Sequence, residues 1–365
     1  MTPSVLNFTH KERTISMKKT ISLLLAAAMM LALLAGCGPK TPASSSSAEP
    51  SGSESAEPVT EYLPNLMVMS GPTGVGAAKL MADAENFDPE DPSTHRTFVV
   101  NRASVVTDNE AVKNALVSGE ADIAAVATNV AASLVNKLEG GIQVLAINTL
   151  GVLYILEKGD TVHSMADLAG KTVYATGQGA NPEYILNYLL TENGVDPASV
   201  DIQWMTAQEV STKVATEENA ICMLPVPAAT ALMMKDSGVR EAISLTQAWD
   251  ELGQGPLPQG CLVARTEYIE NNPLTLDSFL TIYAESINYM SDSFNLGEAS
   301  LLLAKYGITA NETVGAAAIP QCNLTFITGQ EMKETLEGYY QVLFQANPNS
   351  IGGAMPYDSF YYGVD

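Results

Sequence analysis

The sequence predicts an α/β chain of two lobes, each a mainly parallel sheet flanked by helices. Three observations carry this reading. Short apolar runs alternate with helical patterns from about residue 61 to residue 260, the mark of crossover units. The folded part is about 305 residues long, a length that ordinarily divides into more than one core. After Gly260 the alternation stops and helices dominate, so the chain is expected to finish back on the first lobe.

The elements follow in order. Leu66-Met67-Val68-Met69 reads as a buried strand, and Thr73–Glu85 as a helix with Val75, Leu80 and Met81 inward. Thr97-Phe98-Val99-Val100 reads as the second strand. Thr107-Asp108-Asn109-Glu110 is a capping-box pattern opening a helix to Ser118. Ile123–Val126 and Val144–Ile147 read as strands on either side of a helix, Asn129–Leu138. A second set begins with the strand Thr172–Tyr174 and a helix opened by Asn181-Pro182, where proline's missing N–H costs nothing. Strands at Val200–Gln203, Ile221–Leu224 and Ala242–Ser244 alternate with helices at Val210–Thr216 and Ala228–Lys235. Cys261–Ala264 is a strand, and the helices Thr275–Asp292, Leu296–Tyr306, Glu312–Ala318 and Gln330–Asn347 follow without strands. Lobe one is thus 61–149 plus 261–365, and lobe two 150–260.

Composition narrows the function. Apolar residues make up 46% of the chain, and the net charge is -23. So acidic a surface repels phosphate backbones, which excludes nucleic-acid binding. No two of Cys222, Cys261 and Cys322 stand at zinc-ligand spacing, and three thiols form at most one disulfide. His10, His95 and His163 are scattered. There is no Gly-x-Ser-x-Gly and no His-Glu-x-x-His. No catalytic residue, metal or cofactor is expected, and the chain reads as a binder, not an enzyme.

Met17-Lys18-Lys19 opens a basic segment followed by the apolar run Ile21–Leu34, which ends in Leu34-Ala35-Gly36-Cys37. That is the build of a secretory leader, too short for a hydrocarbon core that needs ~20 residues. Residues 1–16 have no export character, which makes Met17 a second candidate for the start. Leu-Ala-Gly-Cys resembles the lipobox of bacterial lipoproteins. The resemblance implies removal of residues 1–36, lipidation of Cys37 and attachment to the outer face of a cytoplasmic membrane. Residues 37–60 are rich in Ser, Pro, Ala and Glu, lack the apolar bulk to order themselves, and read as a tether.

Four stretches resemble the type II periplasmic binding-protein fold, in the branch serving nitrate, sulfonate, taurine and thiamine-precursor importers. They are Met69-Ser70-Gly71-Pro72-Thr73-Gly74-Val75-Gly76, Gly119-Glu120-Ala121-Asp122-Ile123-Ala124, Met165–Val173 with its Asp167-Leu168-Ala169-Gly170-Lys171, and Cys261–Arg265 followed by Glu270-Asn271-Asn272-Pro273. The resemblance implies a monomer that binds a small solute between its lobes and delivers it to the permease and ATPase of an ABC importer. The family's first helix often carries an aromatic or acidic ligand-facing residue; here the stretch is small and glycine-rich, so the solute's identity does not carry over.

In open parallel sheets ligands sit beyond the carboxyl ends of the strands. On lobe one this points to Thr73, Gly74 and Gly76, to Thr128, and to Asn148 and Thr149; on lobe two, to Gln178, Asn181 and Pro225. Glycines let the backbone approach, and helix N-termini there favour an anion or a carbonyl oxygen. Gly74-Val75-Gly76 is neither a dinucleotide fingerprint nor a Walker loop, since Lys79 stands where the next glycine would be and no Gly-Lys-Ser/Thr follows. Arg102, after the second strand, reads as a surface residue, and Tyr154, Trp204 and Trp249 as core. Hinges are expected at Thr149–Gly151 and Gly255–Gly260. Three alternatives stay open: a receptor for a TRAP-type transporter, a sensor partner, and an extracytoplasmic hydrolase.

Overall fold

A computed structural model describes residues 60–364, apart from 136, 139 and 140. The leader, Cys37 and all but the last residue of the tether lie outside the described residues. The described residues belong to one compact unit, and none of their helices is long and apolar enough to cross a membrane.

The chain first runs β1 (Asn65–Met69), α1 (Pro72–Val75), α2 (Ala78–Glu85), α3 (Pro92–His95), β2 (Arg102–Val106), α4 (Asn109–Ser118), β3 (Ile123–Ala127), α5 (Thr128–Val135) and β4 (Ile142–Thr149). Next come β5 (Leu153–Glu157), β6 (Thr172–Ala175), α6 (Asn181–Glu192), β7 (Asp201–Trp204), α7 (Ala207–Thr216), β8 (Ile221–Pro225), α8 (Ala228–Lys235), β9 (Arg240–Ser244) and α9 (Leu245–Asp250). It closes with β10 (Gly260–Arg265), α10 (Thr266–Asn271), α11 (Pro273–Ser291), α12 (Leu296–Lys305), α13 (Glu312–Ala318), β11 (Leu324–Ile327) and α14 (Gly329–Ala346).

Two sheets result. The first has the order β11-β4-β10-β3-β1-β2 and the second β7-β6-β8-β5-β9. In the first, β1 pairs parallel with β2 and β3, while β10 and β11 run against their neighbours. In the second, β6 pairs parallel with β7 and β8, and β5 alone is reversed. The majority of strands in each sheet therefore point one way, and their carboxyl ends gather on one side. The chain passes between the sheets twice, at Leu150–Val152 and between α9 and β10.

Five local readings need correction. The second strand is Arg102–Val106, not Thr97–Val100; its five residues pair in register with Asn65–Met69. Val99 and Val100 are buried, but as a loop beneath the sheet, with Asn101 N–H donating to the Pro64 carbonyl at 2.9 Å. Thr73–Glu85 breaks into α1 and α2 around Gly76 and Ala77, where two close glycines weaken the helix. Strand β5, at the heart of the second sheet, continues the apolar run after Gly151. Helix α9 follows β9 directly, opened by the Ser244 side chain accepting from Gln247 N–H at 3.3 Å. Strand β11 interrupts the late helices and covers the edge of β4.

The largest apolar core runs from the β1–β3–β4 face through Trp249, Tyr339 and Tyr340 to Ile155, Val173 and Met223. Trp249 is fully buried; its Nε1–H donates to the Gly255 carbonyl at 3.0 Å, and its ring lies 5.3 Å from Tyr188 and 5.7 Å from Tyr339. An aromatic of this size anchors the second crossing between the lobes.

Candidate functional site

The carboxyl ends of β1, β3, β6 and β8 meet the amino end of β5 around a cavity of 170 Å³. Lobe one contributes Ser70, Pro72, Thr73 and Asn109; lobe two contributes Val152, Leu153, Thr176, Asn181 and Pro225; Gln259 stands between them. Local sequence explains why. At Gly71, φ is +108°, a conformation suited to glycine, which turns the chain from β1 into Pro72 at the start of α1. Gly74 brings α1 back onto β1, since a Cβ there would stand 2.5 Å from the Met69 carbonyl oxygen. Pro182 sits in the first turn of α6.

Behind the cavity lies a dense hydrogen-bond knot. Asn181 Nδ2 donates to Thr128 Oγ1 at 2.9 Å and to the Gln259 carbonyl at 2.8 Å, and its Oδ1 accepts from Tyr339 at 2.8 Å. Thr128 Oγ1 donates to the Pro258 carbonyl at 2.8 Å, and Tyr340 donates to the Thr128 carbonyl at 2.9 Å. Gln259 N–H donates to the Thr149 carbonyl at 2.9 Å, while Gln259 Oε1 accepts Val152 N–H at 2.7 Å. On the lobe-one side Asn148 Nδ2 donates to the Thr73 carbonyl at 3.1 Å and to Tyr283 Oη at 2.9 Å. Thr149 Oγ1 donates to Asn148 Oδ1 at 3.1 Å. Burial pushes the Tyr283 hydroxyl well above its ordinary range, so it stays a neutral donor and acceptor.

Of the candidates named from sequence, the structure brings Thr73, Asn181 and Pro225 to the cavity wall. Gly74 lies just behind Thr73, and Gly76 faces away: a Cβ there would meet Ile287 Cγ1 at 2.7 Å, so its smallness lets α11 pack. Thr128, Asn148 and Thr149 are buried in the knot and hold the crossings. Gln178 is exposed and does not line the cavity. Arg102 starts β2, at the end remote from the cavity, with its guanidinium exposed 3.7 Å from Glu120. Gln259 was visible in sequence only as hinge; it is a wall residue too. Thr176, which opens the loop 176–181 expected at the site, lines the cavity, and so do Ser70, Asn109 and Val152, which no site pattern marks although Ser70 and Val152 flank strand ends.

No Asp, Glu, Lys, Arg or His lines the cavity among the described residues. No group of three His, Cys, Asp or Glu there can hold a metal ion. Cys222, Cys261 and Cys322 are free and buried, and burial pushes the thiols of Cys222 and Cys322 up to about 12. A larger recess of 760 Å³ opens on the surface between α6 and α14, away from the strand ends.

A family model described as NMT1/THI5 like matches residues 103–293. A comparison with curated proteins by sequence finds no match. Among solved structures, the chain is similar to an ABC transporter protein of Parabacteroides distasonis, with a TM-score of 0.65 and 22% identity over 82% of this chain and 98% of that one. It is similar to the periplasmic aliphatic sulphonate binding protein of Escherichia coli, with a TM-score of 0.63 and 15% identity over 80% and 96%. The periplasmic nitrate-binding protein of Synechocystis PCC 6803 gives 0.54 and 13% over 80% and 85%. At such identities the likeness is one of fold, and the fold is that of the type II periplasmic binding proteins. The matched segment runs from β2 into the residues after α11, takes in all of the second sheet and exceeds half of the sequence. On that match the chain belongs to the NMT1/THI5-like family.

Proposed function

We propose that the protein captures a small solute between its lobes and delivers it to an ABC importer. It would do so from the outer face of a bacterial cytoplasmic membrane, held there by a lipid on Cys37. The observation that carries this reading is the cavity at the gathered strand ends, walled by both lobes and flanked by both crossings. Lobe one is taken as 61–149 plus 261–365 and lobe two as 150–260, with the crossings as hinge. A solute seated on one lobe gains contacts with the other only when the two approach, so binding shifts the population toward the closed form. The importer reads that form and empties it; the protein acts as a monomer and performs no turnover. Family membership and the transport proteins among its structural relatives support this reading.

The test is a thermal-shift screen followed by X-ray scattering with the best binder. The expected result is a raised melting point and a smaller radius of gyration on binding. A tight binder that leaves the scattering unchanged defeats the closure mechanism; chemical conversion of that binder makes the protein an enzyme. Attachment is tested separately: Cys37→Ser should release the chain from membranes and abolish labelling by a fatty-acid probe.

A further inference from the structure

Resting on the solute-binding reading, we infer that the solute is an uncharged, single-ring-sized molecule that offers a hydrogen-bond acceptor to Gln259 Nε2, and not an oxyanion. Four observations converge on this. The first is the wall: it carries no ionisable side chain among the described residues. A buried charge without a partner is strongly disfavoured. Oxyanions are often held instead by helix N-termini, so those ends decide the matter.

The second observation is that the helix ends beside the cavity are occupied or acidic. Helix α5 has no acid in its first turn, but Thr128 N–H and Asn129 N–H donate to the Gln259 carbonyl and to Asn181 Oδ1, each at 3.3 Å, and α4 and α6 carry carboxylates at their amino ends. Asp108 caps α4, accepting Glu110 N–H at 3.1 Å, with Asn109 on the cavity wall. Glu183, in the first turn of α6, accepts Gly179 N–H at 2.6 Å, with Asn181 and Pro182 on the wall. These charges lie on the ends that would attract an anion, and they oppose one. Helix α1 is a single turn of four residues opened by proline. The overall charge of -23 acts in the same direction.

The third observation is a donor that the protein does not use. Gln259 is 6% exposed and lines the cavity. Its Oε1 accepts Val152 N–H at 2.7 Å, which fixes the amide orientation and leaves Nε2 as the end available to a solute. Nε2 donates no hydrogen bond among the described residues, and it is not one of their fully enclosed unpartnered atoms, so it is reachable from the cavity. A solute that fills the cavity displaces water from this donor and must replace its hydrogen bond, so a carbonyl oxygen or ring nitrogen of the solute is its natural partner. Ser70 and Thr176 line the cavity from opposite lobes.

The fourth observation is size. At 170 Å³ the cavity is small beside the ~300–1,000 Å³ of drug-sized sites. Its walls are largely apolar, through Met69, Pro72, Val152, Leu153 and Pro225.

The experiment is calorimetry on the purified full chain with near-isosteric pairs that differ in charge: nicotinamide and nicotinate, benzenesulfonamide and benzenesulfonate, orotamide and orotate, with nitrate and ethanesulfonate added. The expected result is binding by at least one uncharged member, tighter than its anionic twin by about a hundredfold or more. Gln259→Glu keeps an acceptor for Val152 N–H and removes the donor; it should weaken the uncharged binder about tenfold or more. Because a carboxylate there is nearly buried without a charged partner, the free variant should melt lower than the parent, its cooperative transition reporting that it still folds. Binding of any anion more tightly than its uncharged partner overturns the inference and leaves the solute-binding reading standing. Retained affinity in Gln259→Glu overturns the role of Nε2. No binding by either member of every pair, together with no binder in the wider screen, counts against both readings.

Discussion

Asn181 commits every polar atom of its side chain to the knot behind the cavity, reaching Thr128, Gln259 and Tyr339 across more than fifty residues of sequence in each case. Asn181→Ala removes bonds to Thr128, Gln259, Tyr339 and Asn129 N–H. Thr128 and Gln259 keep other partners, while the Tyr339 hydroxyl and Asn129 N–H lose theirs, and a stranded group costs roughly 1–3 kcal/mol. We expect a loss of stability of that order, read as a lower urea midpoint, with weaker solute binding beside it. Glu157 makes a pH-dependent contribution. Burial pushes its carboxyl up, but the Thr161 hydroxyl and N–H, Val162 N–H and the Arg240 guanidinium together outweigh it and hold the group below its ordinary value. A lowered folded-state value gives stability that is present above the unfolded pKa of about 4.3 and is lost as the pH falls through the folded value. Glu157→Gln should therefore be less stable than the parent at pH 7, and the gap should narrow as urea midpoints are followed down toward pH 3. The buried thiols give a third expectation: Cys222, Cys261 and Cys322 should resist a thiol-specific reagent in the folded protein and react together on unfolding. At this scale the sequence revealed least. Thr73 and Asn181 lie in the segments that follow β1 and β6, where the strand-end rule looks, and both line the cavity. Gln259 became a wall residue only because Val152, 107 positions earlier, holds its side chain, and no local pattern announces such a contact.

Between residue and molecule, the elements show which patterns inform. Alternating apolar runs located β1, β3, β4, β6, β7, β8, β9 and β10 within a residue or two. The runs misled at Thr97–Val100, where burial without pairing looks the same as a strand, and at Leu324–Ile327, where a half-buried edge strand has too little apolar contrast. Glycines separate two kinds of helix position. Gly74 has the Met69 carbonyl against it, so Gly74→Ala should lose about 1–3 kcal/mol by overpacking and displace α1 from the cavity wall. Gly338 lies in exposed, open space inside α14, so Gly338→Ala should gain about 0.5–1 kcal/mol. Denaturant midpoints of the two variants, moving in opposite directions, check both; a stabilised Gly74→Ala would mean that α1 has room the structure denies it.

For the molecule as a whole, two sheets followed from length and alternation, and the change of character at Gly260 marks where β10 and β11 join the first sheet. The carboxyl-end rule points to the loops around which the cavity lies, although it could not say which residues would face it. Solute binding should show itself in global stability. A ligand at a hundred times its dissociation constant adds about 2.7 kcal/mol by mass action, so the melting point should climb with concentration and not plateau at one equivalent. A saturating curve at stoichiometry would point to a conformational trap in place of reversible capture.

The double use of Gln259 has a further consequence. Its main chain joins Thr149, Thr128 and Asn181 at the crossings, and its side-chain amide both clasps Val152 and faces the cavity. Recognition and swing therefore share one residue, and no exchange there can redraw the choice of cargo without also changing the ease with which the jaws shut. An engineer seeking a new cargo at an unchanged opening rate would have to work from the rim, at Ser70, Asn109 and Thr176, and leave the pivot alone.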